Sequence, residues 1–284
     1  MSAVGSKFAA QAAKSLPKIK AIDGVRQVLL VASGKGGVGK STVAVNLALA
    51  ISRHDKTRSV GIMDADVYGP SLPTMLRLSG PVAANKDKVM MPLLKFGLKC
   101  MSMGFLVNEK DPIVWRGLMV TSAMMQLMRH VAWAPLDLLV VDMPPGTGDT
   151  QLTLTQNIPI DGVVIVSTPQ DVALADARKG AEMFRKVNAP VLGVVENMAS
   201  FICPKCNEET RIFGTSDHLA AMAKEMQLDV LASVPLHPEV VQKSDDGEPI
   251  VVSNPSNPVA GIFQKLAANV LERLPPLREP RAEG

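Results

Sequence analysis

Residues 34–42 read Gly-Lys-Gly-Gly-Val-Gly-Lys-Ser-Thr and follow directly on the apolar run Gln27–Ser33. A strand, a glycine-rich turn and then the helical pattern STVAVNLALAIS form the setting in which G-x-x-x-x-G-K-S/T cradles phosphate. Gly34, Gly36, Gly37 and Gly39 lack a Cβ and tolerate positive φ, so backbone N–H groups can turn inward around anionic oxygens. The helix from about Lys40 aims the positive end of its dipole at the same spot. In this motif Lys40 reaches the β- and γ-phosphates and the Ser41 hydroxyl binds Mg²⁺. Gly34, Lys35, Gly36, Gly37, Val38, Gly39, Lys40, Ser41 and Thr42 are therefore the candidate triphosphate-binding stretch.

The rest of the chain alternates in the same way. Strand-like runs at Ser59–Asp64, Gly97–Met103, Asp137–Met143, Gly162–Thr168, Val191–Asn197 and Leu228–Val234 are separated by loops and by helical patterns such as Gly117–His130 and Val172–Lys186. This predicts a three-layer α/β fold, with a mostly parallel twisted sheet flanked by helices. Ligands of such sheets bind at the carboxyl ends of the strands. Hydrophobic residues make up 47% of the chain and aromatic ones only 4%, which leaves Val, Leu, Ile, Ala and Met to build the core. That suits buried parallel strands. Among 284 residues we find no internal linker. The expected organisation is one domain over 25–274 with a cysteine-bearing insertion near 198–213, a basic tail at 1–24 and a C-terminal tail at 275–284. The net charge of +3 is too small to argue for nucleic acid. No apolar run reaches the length of a membrane span. Three cysteines do not make a disulfide framework, and a reducing compartment is expected.

Several polar residues fall at strand ends. Asp142 closes DLLVVD, the arrangement in which a carboxylate supports Mg²⁺ beside a phosphate loop. The loop Met143-Pro144-Pro145-Gly146-Thr147-Gly148-Asp149 follows it. Asp64 and Asp66 stand two apart in MDADVYGPS, with a turn and an N-cap as the plainer reading. Asn197 ends VLGVVEN, and its amide could both donate and accept. Cys203-Pro204-Lys205-Cys206 is a CxxC motif, open to redox, zinc or iron–sulfur chemistry. The nearest further zinc candidate is His218. Cys100, in an apolar setting, reads as a buried small hydrophobe. The Met-rich stretch Met119–Met128 has helical spacing and reads as core or buried interface.

GKGGVGKST, DADVYGPS, VWRGLM, DMPPGTGD, STPQD, VVENM and CPKC occur in this order between about Ile22 and Leu274. The set resembles the Mrp/ApbC family of iron–sulfur cluster carrier ATPases within the MinD/ParA-like group, and most closely its mitochondrial branch, which serves respiratory complex I assembly. The resemblance implies an ATP-bound homodimer in which Lys35 crosses to the phosphates of the second subunit. It also implies that Asp66 orients the attacking water, that Asp64, Asp142 and Ser41 lie near Mg²⁺, and that Asn197 contacts the adenine edge. Lys35, Lys40 and Asp66 are then the catalytic residues. Two copies together supply four thiolates from Cys203 and Cys206, enough for one 4Fe–4S cluster on the symmetry axis. The partners implied are apo iron–sulfur proteins, complex I subunits among them.

Lys7, Lys14, Lys18 and Lys20 precede the first acid, Asp23, and Phe8, Ala12 and Leu16 share a helical face. A matrix-targeting presequence and a plain basic tail both fit. The expected location is the mitochondrial matrix, with the cytoplasm as the alternative. Two rival functions stand beside cluster carriage. One is a positioning ATPase of ParA/MinD type, whose membrane version needs a basic amphipathic C-terminal helix. The stretch Val259–Leu274 has few basic residues and suits core packing better. The other is an electron-transferring reductase like the nitrogenase iron protein, which holds its cluster with well-separated cysteines.

Overall fold

Val28–Ala32 (β1) is apolar throughout and buried on both faces, as a central parallel strand must be. The computed structural model describes residues 19–67, 69–106, 117–203, 205–206 and 208–279. After β1 come α1 (Lys40–His54), β2 (Val60–Asp64), the short α2 (Leu72–Met75), β3 (Leu93–Lys95), β4 (Leu98–Ser102), α3 (Gly117–Arg129) and β5 (Leu138–Asp142). They are followed by α4 (Asp149–Asn157), β6 (Gly162–Ser167), α5 (Asp171–Lys186), β7 (Val191–Ile202), β8 (Glu209–Thr210) and α6 (Ser216–Glu225). The described chain closes with β9 (Val230–Leu236), α7 (Pro238–Asp245), α8 (Ile250–Ser253) and α9 (Pro258–Arg273).

The sheet runs β3-β4-β2-β5-β1-β6-β7-β8, with β9 also paired to β7. Among the described strands, β3 with β4 and β7 with β8 pair antiparallel and the other pairs are parallel. Because side chains alternate along a strand, β1 feeds both layers. Leu29 and Val31 pack with Leu47 and Ile51 of α1 and Phe263 and Leu266 of α9. Val28 and Leu30 pack with Met124 and Met128 of α3 and Phe184 of α5. The Met-rich stretch is thus mostly core, and α9 turns its apolar face inward against α1. Each fully buried Leu, Ile, Phe or Met contributes about 1.5–3 kcal/mol.

Three expectations need correction. Strand β7 does not end at Asn197 but runs on to Ile202, because β9 pairs with it at Asn197 and Phe201 and β8 pairs with Phe201 and Ile202. Pro81, Asn85 and Pro92 give residues 80–95 the signals of a loop, yet the segment ends in β3, joined to β4 by a tight turn with Phe96 and Gly97 both at positive φ. The tails are shorter than expected. Lys20 donates its N–H to Asn157 O, and Ile22 is buried. On the C-terminal side, Arg278 pairs with Asp161, and Arg26 Nε donates to Arg278 O at 2.8 Å. Residues 1–18 and 280–284, including Lys7, Phe8, Lys14 and Lys18, lie outside the described residues, as do Val114, Trp115 and Arg116 of VWRGLM.

Candidate functional site

The loop between β1 and α1 is held from below by contacts that only these residues allow. Gly39 takes φ 78, ψ 24 and starts α1 with no side-chain cap, so the first N–H groups of a 15-residue helix stay open toward the loop. Gly37 has φ 79 as well. Gly34 serves a different purpose: a Cβ there would lie 2.2 Å from the backbone of Asp176 on α5, so glycine is required for the close approach. Ser33 Oγ donates to Lys35 O at 2.9 Å and tightens the first turn.

This loop forms one wall of a cavity of about 560 Å³. Lys35, Gly36, Gly37, Gly39, Lys40, Ser41 and Thr42 line it, with Asp66, Ser71 and Pro145 alongside. Thr74, Met75, Val240, Val241, Ser244 and Asp245 form the far wall. A pocket of this size, with two lysines and an open helix N-terminus, fits a nucleoside triphosphate.

The carboxylates lie deeper than expected. Asp64 and Asp142 are register partners on β2 and β5, which aims both at the side where α1 begins. Lys40 Nζ meets Asp142 Oδ1 at 2.5 Å and Ser41 Oγ at 3.3 Å. The Lys40 and Asp142 side chains are only 7% and 3% exposed. Burial pushes the Asp142 carboxyl up from its ordinary value, and Lys40 holds it down. Asp64 is fully buried. Its Oδ2 accepts from Ser71 N (2.9 Å), Leu72 N (3.1 Å) and Ser102 Oγ (3.1 Å), and its Oδ1 accepts from Asp66 N (3.0 Å). Burial, and then the nearby Asp142 charge, push Asp64 up to about 7, against the pull of the Leu72 and Asp66 N–H groups. In this structure Asp64 organises the loop that carries Asp66 and lies outside the cavity lining, whereas Asp66 borders the cavity.

Asn197 reaches the loop from the strand side. It is buried beneath the loop with Nδ2 donating to Val38 O at 2.8 Å, and it is not among the cavity-lining residues. Its amide nitrogen braces the loop through this bond. Sequence reasoning missed the far wall, because α7 carries no motif and is brought in only by the fold. It also missed Gln151, whose Nε2 donates to Pro144 O (2.9 Å) and Pro145 O (3.2 Å) and so ties the 143–148 loop to α4.

Cys203 and Cys206 sit at the tip of the β7–β8 hairpin, closed by Cys203 N donating to Glu208 O at 3.0 Å. Pro204 and Asn207 lie outside the described residues. Cys203 is half-buried and Cys206 exposed. The backbone N–H of Cys206, then that of Lys205, lowers the Cys203 thiol from its ordinary range. Cys100 is fully buried, and burial pushes it up to about 12. His218 does not join the pair: its Nδ1 lies 2.8 Å from Asp171 Oδ1. Among the described residues no three His, Cys, Asp or Glu side chains converge on a metal site.

The sheet order, the loop and its two lysines define a P-loop NTPase of MinD/ParA architecture. Within that class, the chain belongs to the family whose model is described as "ParA: NUBPL iron-transfer P-loop NTPase", which matches residues 24–271. It is 58% identical over 261 residues to the iron-sulfur cluster transfer protein NUBPL of Mus musculus, covering 92% of this chain and 82% of the relative. It is 48% identical over 273 residues to the mitochondrial iron-sulfur protein required for NADH dehydrogenase of Arabidopsis thaliana, covering 96% and 87%. Among solved structures, a nucleotide-binding protein in complex with ADP from Archaeoglobus fulgidus superposes with TM-score 0.71 at 36% identity, covering 84% of this chain and 92% of that one. The cell division ATPase MinD of Pyrococcus furiosus shares the fold at 20% identity, with TM-score 0.62 over 87% of this chain and 98% of that one.

Proposed function

We propose that this protein carries an iron–sulfur cluster as cargo on Cys203 and Cys206 and hands it to apoproteins under the control of ATP bound in the Gly34–Thr42 loop. The observation that carries the reading is β7. One strand braces the phosphate loop through Asn197 and ends in the hairpin that presents the two thiols. The relatives' names, cluster transfer protein and a protein required for NADH dehydrogenase, agree with it. They favour respiratory complex I subunits as recipients and the mitochondrial matrix as the location.

One chain offers two thiolates at the hairpin, so a 4Fe–4S cluster requires a homodimer. Lys35 is exposed at the cavity and free in direction to reach a second copy's phosphates, where a cation offsets charge developing on the γ-phosphoryl oxygens. Lys40 exchanges part of its bond to Asp142 for the β- and γ-phosphates. Asp66 orients the attacking water. Ser41 and Asp66 border the cavity where Mg²⁺ fits, with Asp142 behind Lys40; when bound, the ion neutralises phosphate charge. Hydrolysis is weak in the isolated chain, because Lys35 acts only across the dimer. A positioning ATPase is disfavoured: the apolar residues of α9 are spent on the core, and a CxxC hairpin has no part in that function.

Anaerobic reconstitution with iron and sulfide, read by Mössbauer spectroscopy on wild type and Cys203→Ala, tests the ligand assignment. Wild type should show a 4Fe–4S signature and the variant should lose it. A variant that retains a full cluster refutes it.

A further inference from the structure

Residues 53–58 and 86–99 together hold seven Lys and Arg against two Asp. The whole chain holds 30 Lys and Arg and 27 Asp and Glu, so these two segments carry +5 and the remaining sequence −2. The fold brings the segments to one place. Gly61 of β2 pairs with Lys99 of β4, and Lys95 of β3 with Leu98, which makes the α1–β2 loop and the β3–β4 turn neighbours. Met90 bridges to Val131, and Lys99 Nζ donates to Trp133 O (2.7 Å) and Ala134 O (2.9 Å), so the 85–88 turn is drawn to the same end. This is the amino end of β2 and β4. The phosphate loop and the cysteine hairpin follow the carboxyl ends of β1 and β7, at the other end of the sheet.

Apolar side chains stand among these charges. Leu94 is 74% exposed, Met91 43% and Phe96, in the turn, 37%. Lys95 Nζ lies 5.0 Å from the centroid of the Phe96 ring. β3 is the edge strand of the sheet. A lysine on an edge strand guards against pairing with other chains, and that explains Lys95. It does not explain an exposed leucine beside it. An apolar tip ringed by cations suits a bilayer interface: the apolar groups enter beneath the headgroups, and long basic side chains keep their charge at the level of the phosphates. A folded protein partner needs about 800 Å² of shaped contact on each side, which three side chains around a turn do not supply.

We infer that this end of the sheet docks on an anionic phospholipid bilayer. Leu94 and Phe96 enter the interface, while Lys56, Lys86, Lys88 and Lys95 face the lipid phosphates. Docked in this way, the protein keeps its nucleotide cavity and its two hairpin thiols on the side away from the lipid.

Co-sedimentation of the full chain with vesicles tests this. One set is phosphatidylcholine alone, and the other is equal parts phosphatidylcholine and phosphatidylglycerol. Wild type should bind the anionic set, less so as salt is raised, and leave the neutral set in the supernatant. Lys86→Gln/Lys88→Gln should weaken binding about fivefold for each charge removed, and Leu94→Ser by about tenfold. Both variants should bind ATP and unfold as wild type does. Equal binding to the two vesicle sets overturns the inference. So does Leu94→Ser that binds as wild type, which would mark the attraction as charge alone. Wild-type binding by both variants overturns it too, since residues 1–18 are unchanged in them and would then be the source. Tighter binding to polyglutamate or duplex DNA than to anionic vesicles overturns it in favour of an acidic polymer.

Discussion

Replacing Lys40 by Met keeps the apolar stem and removes the charge that Asp142 faces at 2.5 Å. Asp142 is then a buried carboxylate with its main cation gone. Breaking such a pair costs about 3–5 kcal/mol while the surviving charge stays trapped. The carboxyl can escape by taking a proton, at about 1.4 kcal/mol for each unit between its pKa and the pH. Burial already raises Asp142 in the folded protein, and loss of Lys40 raises it further. A carboxyl raised on folding favours the folded state below its unfolded value of 3.8, and that contribution is lost as pH rises through the folded value. The deficit of Lys40→Met relative to wild type should therefore be small at pH 5 and reach about 3 kcal/mol at pH 8. At pH 8 that corresponds to roughly 5–10 °C in Tm for a chain of this size. Thermal unfolding without nucleotide at both pH values measures it. The companion variant Lys40→Met/Asp142→Leu should recover most of the loss at pH 8. An equal deficit at pH 5 and pH 8, or no recovery in the double variant, refutes the reasoning.

Asp66→Asn should bind ATP as wild type does and lose hydrolysis, as read by phosphate release beside equilibrium binding; wild-type turnover would remove Asp66 from its role. Gly34→Ala forces a Cβ to 2.2 Å from the Asp176 backbone and should destabilise the unliganded protein by at least about 2 kcal/mol in urea unfolding. An unchanged midpoint would show that the loop and α5 separate easily.

The buried strands and the phosphate loop were legible because their signals are local. VLLVA, VGIMD and LLVVD are apolar runs that end in loop residues, and the structure starts and stops those strands within about two residues of expectation. β7 was not, because Met-Ala-Ser after Asn197 carries no strand signal, and the extension comes from pairing with β8 and β9. The β3–β4 turn escaped because Phe96 at φ 49 is not a turn signal in a sequence. Helix α4, DTQLTLTQN, is polar enough to pass for the end of the preceding loop. At the site, residue types were readable while depth was not. Asp64 stands in the expected motif, yet three of its four donors come from the 66–72 stretch and the fourth from Ser102 on β4. Asn197 was singled out without its bond to the loop, since no local pattern reports that the Val38 carbonyl lies within 2.8 Å.

Cluster carriage between two copies is the claim on which the rest depends, and iron stoichiometry combined with native mass tests it most directly. Anaerobically reconstituted protein run on size exclusion with light scattering should elute as a dimer. It should contain about four irons and four labile sulfides per two chains, one 4Fe–4S cluster shared by four cysteine thiolates. A monomer that holds four irons and binds ATP contradicts it.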